Sequence, residues 1–348
     1  MRLEALRKIC QGKAILTADL KISIILRLRS GARKIAHMKK KVIIDCDVGV
    51  DDALALILAF GSPELEVLGV TGVNGNVSLP KVMKNIEKVL TLIRPSNRPW
   101  VARGADRPLQ GDPAHAESLH GEDGLGGVQI QPEEAGRYWQ AFPGAAEELL
   151  IEMARRYPAQ ITLIAIGPLT NLALALERDP EAMHQLNEVV VMGGAVRTRG
   201  NITPHAEFNF YVDPLAAKIV LDSGLPITLV PLDATHQVSL TPRLMEERVK
   251  PICTPLARFV IEATGYDATE GHFRGGRSAF FLHDPLAAGA VIDPRLLKKE
   301  GLYISVETKE GEFCGRSFEV PSGGRKVEVC LGVDRDNFLE FFLNRLKG

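Results

Sequence analysis

Cysteine is scarce in this sequence, and its placement excludes two common kinds of scaffold. The 348 residues include five cysteines, an odd number, and no Cys-x-x-Cys motif occurs. A disulfide framework needs paired cysteines, and a zinc ribbon needs Cys-x-x-Cys motifs. The distribution argues against both and is typical of a reducing compartment, so we expect a cytoplasmic location.

Long hydrophobic runs and aromatic side chains are also few. No apolar stretch approaches the roughly 18 residues that span a bilayer, and the early stretch 22–28 is interrupted by Arg27. Aromatic residues make up 6% of the chain, whereas hydrophobic residues make up 45%. We therefore expect no membrane partner and a core built mainly from aliphatic side chains.

Positive charge is in short supply everywhere except at the N-terminus. Residues 1–37 carry nine Lys or Arg and two acids, whereas the rest of the chain carries 33 Lys or Arg and 41 acids. Nucleic-acid binding depends on neutralising phosphates, so an acidic body predicts no nucleic-acid partner. Such a body suits a neutral substrate, or a cation held by carboxylates.

The basic segment 1–37 is acid-poor, as transit peptides are, but it lacks the features of a secretory signal. Met38 lies directly before the first convincing strand. We hypothesise that translation starts at Met38; the alternative is a loosely ordered extension. An intact N-terminus at Met1 in mass spectrometry of the native protein would exclude the first hypothesis. We expect residues 38–348 to form a single domain.

Strand-like and helix-like segments alternate from residue 41 onward. Short apolar runs predict strands at 42–45, 65–73, 161–166, 188–192, 227–230, 302–306 and 326–331. Helical patterns are found at 51–60, 79–93, 169 onward, 215–221 and 337 onward, and a long loop is expected at 103–127. Continuous apolar strands are covered on both faces. We therefore predict an α/β fold, with an open, mainly parallel twisted sheet and helices on both faces.

Four aspartates lie within eight residues at the end of the first predicted strand: Asp45, Asp47, Asp51 and Asp52. Capping of the following helix accounts for one or two of them. Four crowded carboxylates repel one another unless protons or a cation intervene. Because Ca²⁺ takes about six to eight oxygen ligands, the cluster favours a metal site over capping. A phosphate-handling Asp-x-Asp enzyme is a third interpretation.

A second polar cluster, at 201–210, contains Asn201, Glu207 and Asn209, all able to bind hydroxyl groups. In an extended segment Glu207 and Asn209 would point to the same side. A polar surface loop is the alternative, although Phe208 and Phe210 suggest an anchored segment. Both clusters follow predicted strands, and ligands of open α/β sheets bind at the carboxyl ends of strands.

A third feature is the run Asp-Pro-Leu-Ala-Ala, which occurs at 213–217 and again at 284–288. In both places Asp followed by Pro is a good start for a helix. The sequence leaves open which aspartate is only a cap and which binds metal, although His283 precedes the second. Asn76, in an Asn-Gly-Asn turn, and His120, in the long loop, are weaker candidates.

Taken together and in this order, these clusters resemble the inosine–uridine preferring nucleoside hydrolase family. Residues 45–52 are similar to its fingerprint Asp-x-Asp-Pro-Gly-x-Asp-Asp, and further similar blocks lie at 167–171, 192–194, 201–209 and 283–284. The resemblance covers about residues 41–290. It implies the Rossmann-like nucleoside hydrolase fold, calcium-dependent hydrolysis of a ribonucleoside to ribose and free base, and a homodimer or homotetramer.

The resemblance also implies a role for each site residue. Calcium would be bound by Asp47, Asp52, Asp284 and the backbone carbonyl of Ile166. Asp47 would also act as the base on the calcium-bound water, and His283 would stabilise the leaving base. The ribose would be held by Asp51, Asn76, Asn201, Glu207 and Asn209, with Met192 lining its pocket and His120 near the base. Asp45 would support the site from behind.

Two positions depart from the family pattern. Val48 stands where Pro is usual, which implies a looser metal loop, and Ile166 stands where Thr is usual, which keeps the backbone ligand but removes a side-chain hydrogen bond. Three alternatives stay open: a haloacid-dehalogenase-like phosphatase, an inactive nucleoside-binding module, and a hydrolase of another N-ribosyl compound. Trp100 and Trp139 lie outside the segments expected to contact the base, 103–127 and 265–281, which favours a pyrimidine or mixed base preference.

Overall fold

The computed structural model describes residues 39–130, 136–322 and 326–348. Residues Lys40–Gly348 form one compact unit. The expectations about segment 1–37 and a start at Met38 lie outside the described residues. Within the described ranges, no helix has the length and apolar character needed to cross a membrane.

The described chain is built on one large sheet of ten strands. Its strands are β1 (Lys40–Cys46), β2 (Leu65–Gly72), β3 (Trp100–Arg103), β4 (Gln140–Ala145), β5 (Ile161–Ala165), β6 (Glu188–Met192), β7 (Ile227–Val230), β12 (Leu297–Val306), β13 (Ser317–Glu319) and β14 (Lys326–Val333). Two small ribbons pair β8 (Ser239–Leu240) with β11 (Phe280–Phe281) and β9 (Tyr266–Asp267) with β10 (His272–Phe273).

The strand order across the sheet is β13-β12-β14-β7-β6-β5-β1-β2-β3-β4. Every neighbouring pair from β14 to β4 is parallel. Strand β12 is antiparallel to both β14 and β13. The sheet is therefore open and mainly parallel, as expected.

The helices are α1 (Val50–Phe60), α2 (Leu79–Ile93), α3 (Glu117–His120), α4 (Ala146–Arg156), α5 (Thr170–Arg178), α6 (Pro180–Met183), α7 (Phe208–Val212), α8 (Pro214–Asp222), α9 (Leu232–Thr235), α10 (Pro242–Leu244), α11 (Pro255–Ala263), α12 (His283–Ile292) and α13 (Arg335–Arg345). A π-helical turn at Met245–Val249 and 3₁₀ turns at Lys250–Ile252, Arg274–Gly276 and Pro294–Leu296 complete the helical segments of the described chain.

Alternate residues of the central strands pack into two separate hydrophobic layers, because successive side chains of a strand point to opposite faces. Val42 and Ile44 of β1 lie in one layer with α1, α2, α11, α12 and α13. Ile43 lies in the other layer with α4, α5 and α8. Helices thus cover both faces of the sheet, and the predicted α/β fold class is confirmed.

Some elements were missed by the sequence patterns. Strand β3 has only two fully buried residues, Val101 and Ala102, and β4 at the sheet edge contains Pro143 and Gly144. Proline and glycine are tolerated at edge strands but weaken any strand pattern. Helix α4 was not predicted either, and the expected loop 103–127 includes the short helix α3.

The strand order creates a crevice beside β1. The chain runs outward through β2, β3 and β4, and then returns to the opposite side of β1 with β5. Such a switch point leaves a crevice at the carboxyl ends of the two strands. Residues 47–49 follow β1, residues 166–169 follow β5, and both segments open onto this crevice.

Candidate active site

A pocket of about 580 Å³ lies at the carboxyl ends of the parallel strands. Ten of the residues singled out from the sequence line it: Asp51, Asn76, His120, Ile166, Met192, Asn201, Glu207, Asn209, His283 and Asp284. Asp47 and Asp52, which do not line it, are fully buried. Segments far apart in the chain therefore converge at one place, as the positions of the polar clusters predicted.

Three buried carboxylates come together here. Asp51 and Asp52 lie in the first turn of α1, and Asp284 lies in the first turn of α12, which packs against α1. One oxygen of each lies within 4.8 Å of the others. The set differs from the implied metal ligands, because it includes Asp51 where the resemblance implied Asp47. The three carboxylates could hold a metal ion.

Burial raises the pKa of all three carboxyl groups, and repulsion by neighbouring carboxylates adds to the shift at Asp52 and Asp284. Burial raises the pKa of Asp51 and of Asp52 from 3.8 to about 6, and the charge of Asp51 adds to the shift at Asp52. Burial, followed by the charges of Asp51 and Asp52, raises the pKa of Asp284 well above its usual value. A bound cation would relieve both causes.

Asp47 lies beside this group and is turned towards the loop after β2. The backbone N–H of Asn76 donates to Asp47 Oδ2 at 2.6 Å, and the Asp47 N–H donates to Asp52 Oδ1 at 3.1 Å. The second oxygen, Oδ1, is buried and accepts no hydrogen bond from any described residue. Burial, and then the charge of Asp52, raises the pKa of Asp47. Asp47 thus carries one fixed oxygen and one free to act on a ligand.

Asp45, the first aspartate of the fingerprint, does not line the pocket. Its Oδ1 accepts hydrogen bonds from the Thr71 hydroxyl and from Asn171 Nδ2, the latter at 2.7 Å. Asn171 also donates to the carbonyl of Gly72. Asp45 therefore ties the ends of β1 and β2 to α5, a supporting position that agrees with the expectation.

The two Asp-Pro runs differ in what their aspartates do. Asp213 caps α8 by accepting from the Ala216 N–H at 3.0 Å, and it also accepts from the hydroxyl of Thr170 at 2.6 Å. Asp284 forms no cap, because α12 already begins at His283. Of the two roles that the sequence left open, Asp213 is therefore the helix cap, and Asp284 joins the carboxylate group.

The carbonyl of Ile166 faces the pocket but is partly engaged. It accepts a hydrogen bond from Asn209 Nδ2 at 2.9 Å, and the same amide donates to the Met192 carbonyl at 3.3 Å. A carbonyl oxygen has two lone pairs, so Ile166 retains one for a further partner. Asn209 therefore links the ends of β5 and β6 to α7.

The expectation of an extended chain around Glu207 was wrong, because Glu207 is the N-cap of α7. Its carboxylate accepts from the N–H groups of Asn209, Phe210 and Gly194 at 2.9, 3.1 and 2.9 Å. Such capping satisfies N–H groups that have no partner within the first turn of a helix. Burial still raises the pKa of Glu207 to about 7. Asn201 Oδ1 accepts from the Phe208 N–H at 2.9 Å, which leaves its amide nitrogen for a ligand.

Aromatic side chains surround His283 where it lines the pocket. His283 Nδ1 lies 2.7 Å from the Thr235 hydroxyl, and the rings of His236 and Phe281 each lie 5.7 Å from the His283 ring. Burial, and then the neighbouring histidines, lowers the pKa of His283 to about 3. His283 is therefore neutral at pH 7 and can donate a hydrogen bond but carries no charge.

His120 is fixed by the start of α1. The backbone N–H of Val50 donates to His120 Nδ1 at 3.0 Å, so the ring proton is on Nε2 in the neutral form. Burial lowers the pKa of His120 to about 4. Although His120 lies in the loop expected at 103–127, it is buried, and this hydrogen bond connects it to the first turn of α1.

Comparison with known proteins identifies the family. The sequence model of the inosine-uridine preferring nucleoside hydrolases matches residues 42–340. The chain belongs to this family. The pyrimidine-specific ribonucleoside hydrolase RihA of Shewanella sp. (strain MR-7) is 36% identical over 316 residues, covering 89% of this chain and 96% of the relative.

Solved structures of nucleoside hydrolases agree with this assignment. A plant nucleoside hydrolase superimposes with a TM-score of 0.81 at 32% identity, covering 89% of this chain and 99% of the other. The purine-preferring ribonucleoside hydrolase from Gardnerella vaginalis gives a TM-score of 0.79 at 31% identity, covering 89% and 98%. The protein is a nucleoside hydrolase, which confirms the expected family, fold and N-glycosidase activity and excludes the phosphatase alternative.

The structure also adds residues to the site of this nucleoside hydrolase that the sequence patterns did not assign. His236 and His115 line the pocket, and so does Arg277, which was noted only as part of the segment 265–281. His236 directly follows α9, after the carboxyl end of β7, so its position after a strand was a usable signal. His115 had no such signal, because it lies in an irregular loop.

Proposed function

We propose that this nucleoside hydrolase uses Ca²⁺ to hydrolyse the N-glycosidic bond of ribonucleosides, with pyrimidine nucleosides preferred. The observation that carries the proposal is the group of buried carboxylates, Asp51, Asp52 and Asp284, next to a pocket lined by amides and histidines. Buried carboxylates that raise one another's pKa need a positive partner to be ionised at neutral pH. A metal-dependent hydrolase provides that partner.

The donor set fits calcium better than a softer metal. Asp47, Asp52 and Asp284 offer carboxylate oxygens, and Ile166 offers a carbonyl oxygen. These are the hard ligands that Ca²⁺ prefers. The buried oxygens Asp47 Oδ1 and Asp51 Oδ1 have no hydrogen-bond partner among the described residues. We propose Asp47, Asp52, Asp284 and Ile166 as the ligands. When bound, Ca²⁺ would supply Lewis-acid activation of a water molecule.

Asp47 is the proposed general base. Its Oδ2 is fixed by the Asn76 N–H, while its Oδ1 is free of other hydrogen bonds in the described chain. Asp47 would take the proton of the attacking water as the water adds to the anomeric carbon. The glycosidic bond to the base breaks in the same process, and the sugar passes through an oxocarbenium-like state.

The sugar would be held by the polar side chains around the carboxylates. Asp51, whose Oδ1 is unpaired in the described chain, would accept from a ribose hydroxyl. Asn76, Asn201, Glu207 and Asn209 would position the remaining hydroxyls, with Met192 against the ring: all of these residues line the same pocket. Positioning of this kind can lower a barrier by ~7–11 kcal/mol in favourable cases.

The leaving base would meet His283, His120 and Arg277. Because His283 is neutral, it would stabilise the departing base by a hydrogen bond and not by a full charge. Arg277 contributes the positive charge, and its guanidinium is half-buried and lines the pocket. A cation near a leaving group stabilises the negative charge that develops in the transition state.

Two observations support the pyrimidine preference. The relative RihA is named as pyrimidine-specific, and neither tryptophan lines the pocket, where Phe281 and the histidines provide the aromatic surface. The purine-preferring relative from Gardnerella vaginalis shows that the fold also serves purines. A cytoplasmic location and a homodimer or homotetramer stay predictions, to be tested by cell fractionation and by light scattering.

Release of free ribose from uridine, cytidine, inosine and adenosine tests the proposal. We expect calcium-dependent release, faster from uridine and cytidine, and we expect Asp47→Asn to abolish it. Asp112→Asn, an exposed aspartate in the loop before α3, is the control and should keep full activity. Equal release by metal-free protein would refute the role of calcium, and faster release from inosine would refute the pyrimidine preference.

A further inference from the structure

A second cleft, of about 410 Å³, lies outside the active-site pocket and has no part in the proposed mechanism. Its walls come from the segment between β6 and α7, which contributes Thr198, Arg199 and His205, and from Arg316, the residue directly before β13. No aspartate or glutamate of the described chain lines it. Because the body of the chain carries more acids than bases, a cleft with two arginines and no carboxylate stands out as a place for an anion.

The two arginines of the cleft have no carboxylate partner. Arg197, their neighbour in the chain, lies 2.9 Å from Glu300 and 3.2 Å from Glu319. Within the described ranges, the side chains of Arg199 and Arg316 form neither an ion pair nor a hydrogen bond. Their charges are therefore available to a ligand. Phosphate is a ligand that the planar guanidinium group binds through two parallel hydrogen bonds.

Aromatic rings restrict two of the side chains that line the cleft. The guanidinium carbon of Arg316 lies 5.6 Å from the ring centroid of Phe313 and 5.5 Å from that of Phe318. The ring of His205 lies 4.6 Å from the same Phe313 ring. Glu312, whose carboxylate is 3.6 Å from His205 Nε2, is exposed and does not line the cleft. Because these contacts already limit the Arg316 side chain, it would lose less conformational entropy on binding a ligand.

The buried residues of the cleft are fixed to one another. Ser317 Oγ accepts from the Ala195 N–H at 2.8 Å and donates to the Ala195 carbonyl at 3.1 Å. Both residues line the cleft and are almost completely buried. Gly194, directly before Ala195, donates to the carboxylate of Glu207. This part of the cleft is therefore preformed and is continuous with a residue proposed to hold the ribose.

One short turn lines both cavities. Arg199 and His205 line the cleft, whereas Asn201 lines the active-site pocket. The Gly200 N–H donates to the Pro204 carbonyl at 3.2 Å, so the turn is closed by a hydrogen bond of its own. A displacement of Arg199 is therefore passed on to Asn201, two residues further along the chain.

We propose that this cleft binds a phosphate group, either as the free ion or on a small sugar phosphate, and that the occupied cleft strengthens nucleoside binding in the active-site pocket. Arg199 and Arg316 would donate to the phosphate oxygens, with the hydroxyl of Thr198 as a further donor. An anion between Arg316 and Arg199 connects the turn to the start of β13 and keeps Asn201 at the pocket. The phosphate site stands by itself, whereas its effect on catalysis rests on the proposed function, in which Asn201 holds the ribose.

Isothermal titration calorimetry with inorganic phosphate tests the site, and metal-free protein prevents calcium phosphate from forming. We expect a single site in wild type. Arg199→Gln and Arg316→Gln should each weaken binding about tenfold, because a charge-assisted hydrogen bond is lost. Arg258→Gln is the control, since Arg258 is exposed on α11 and lies outside the cleft; it should bind phosphate as wild type does.

The same titration with ribose 5-phosphate distinguishes the two sources of the phosphate group. Binding that is tighter than that of inorganic phosphate, and that weakens in both arginine variants, would identify a sugar phosphate as the ligand. Equal or weaker binding would identify the free ion. The comparison with the arginine variants separates binding in the cleft from binding of the sugar in the active-site pocket.

Steady-state kinetics on uridine test the effect on catalysis. Sulfate, a tetrahedral dianion whose own binding is first measured by the same titration, replaces phosphate, and sodium chloride keeps the ionic strength constant. Saturating sulfate should lower KM about fivefold in wild type and in Arg258→Gln, at the lower end of typical coupling between sites. It should leave KM unchanged in Arg199→Gln. Arg316→Lys keeps the charge but loses the planar guanidinium, so it should retain part of the effect.

Two results would overturn the inference. Equal phosphate affinity in wild type and in the arginine variants would show that the cleft is not the binding site, and bound sulfate without any change in KM would show that the two cavities are independent. If Arg316→Gln fails to fold because its contacts with two rings are lost, Arg199→Gln still decides the question. A wild-type enzyme inactive on uridine would refute the proposed function, but the titrations would still test the phosphate site.

Discussion

Gly75 leaves no space for a side chain beside the proposed general base. A β-carbon at this position would overlap Oδ2 of Asp47, the oxygen held by the Asn76 N–H. The backbone at Gly75 is not in the left-handed region, so the requirement for glycine is the close approach alone. The position of Asp47 therefore depends on the absence of a methyl group next to it.

Gly75→Ala should lower kcat on uridine about 100-fold, because displacement of a reacting group by about 1 Å costs that much. The measurement is steady-state kinetics at saturating calcium. Gly332→Ala is the control, since its β-carbon would approach no atom closer than 3.4 Å. Full activity in Gly75→Ala would show that Asp47 can move without loss and would argue against its role as the base.

Arg277 is the residue on which stabilisation of the leaving base depends in our proposal. Its guanidinium donates to the Thr264 carbonyl at 2.9 Å and lies 5.8 Å from the Phe280 ring centroid. No carboxylate in the described ranges forms an ion pair with it. Its charge is therefore available to a ligand.

Arg277→Gln should reduce kcat/KM on uridine about tenfold or more, because one charge-assisted interaction with the leaving group is lost. On p-nitrophenyl riboside, whose leaving group needs no such help, the same variant should change little. Arg274→Gln, an exposed arginine of the same segment that does not line the pocket, serves as control. Equal losses on the two substrates would assign Arg277 to substrate binding and not to the leaving group.

At the scale of elements, helix α2 supports the metal loop. Asn85 on α2 is 1% exposed and donates from Nδ2 to the carbonyl of Val48 at 3.1 Å and to the carbonyl of Asp123 at 2.7 Å. Val48 stands where the family usually has a proline, which we expected to loosen the turn. The amide of Asn85 holds the same turn from outside and connects it to the loop after His120.

Asn85→Ala should therefore destabilise the protein by about 1–3 kcal/mol, because the buried Val48 carbonyl and the partly buried Asp123 carbonyl lose their donor, and should also weaken calcium binding. Thermal unfolding with and without calcium measures both effects. Thr91 lies on the same helix, and its hydroxyl donates to the Glu87 carbonyl. Thr91→Ala should leave the calcium response unchanged. A calcium response in Asn85→Ala equal to that of wild type would refute the supporting role of α2.

Elements with a strong periodic pattern were predictable from sequence, and elements held by single contacts were not. Helix α2 begins and ends where its apolar spacing predicted, because burial of one face decides both its existence and its limits. Helix α7 was predicted as extended chain, because its five residues carry no period and it forms only when Glu207 caps it. The same carboxylate also accepts from the N–H of Gly194, which follows the distant strand β6.

For the whole molecule, the positions of the candidate site residues along the chain were predictable, but their grouping was not. Asp51 and Asp284 meet because α1 and α12 pack against each other on one face of the sheet. Only the preceding residue, Val212 or His283, distinguishes Asp213 from Asp284 locally, since both aspartates precede the same four residues. Only the packing decides that one aspartate joins the carboxylate group and the other caps a helix.

The carboxylate group also links stability to pH and calcium. Without metal, burial raises the pKa of Asp51 and Asp52 to about 6, whereas carboxyl groups of the unfolded chain titrate at about 4. The folded metal-free protein therefore binds more protons than the unfolded chain between these values. The contribution of these two groups to the stability of the metal-free protein is therefore fully present below about pH 4. It is lost as the pH rises through about 6. Calcium requires the ionised carboxylates, so its stabilising effect has the opposite pH dependence.

The difference in Tm between calcium-saturated and metal-free protein should therefore be small near pH 4.5 and should grow steeply through about pH 6. Thermal unfolding across this range, with metal removed by dialysis, measures it. Asp284→Asn should reduce the difference at every pH, because one ligand is lost, whereas Asp112→Asn should not change it. Calcium stabilisation that stayed constant across the range, or that was larger in acid, would mean that the ion binds somewhere other than these buried carboxylates.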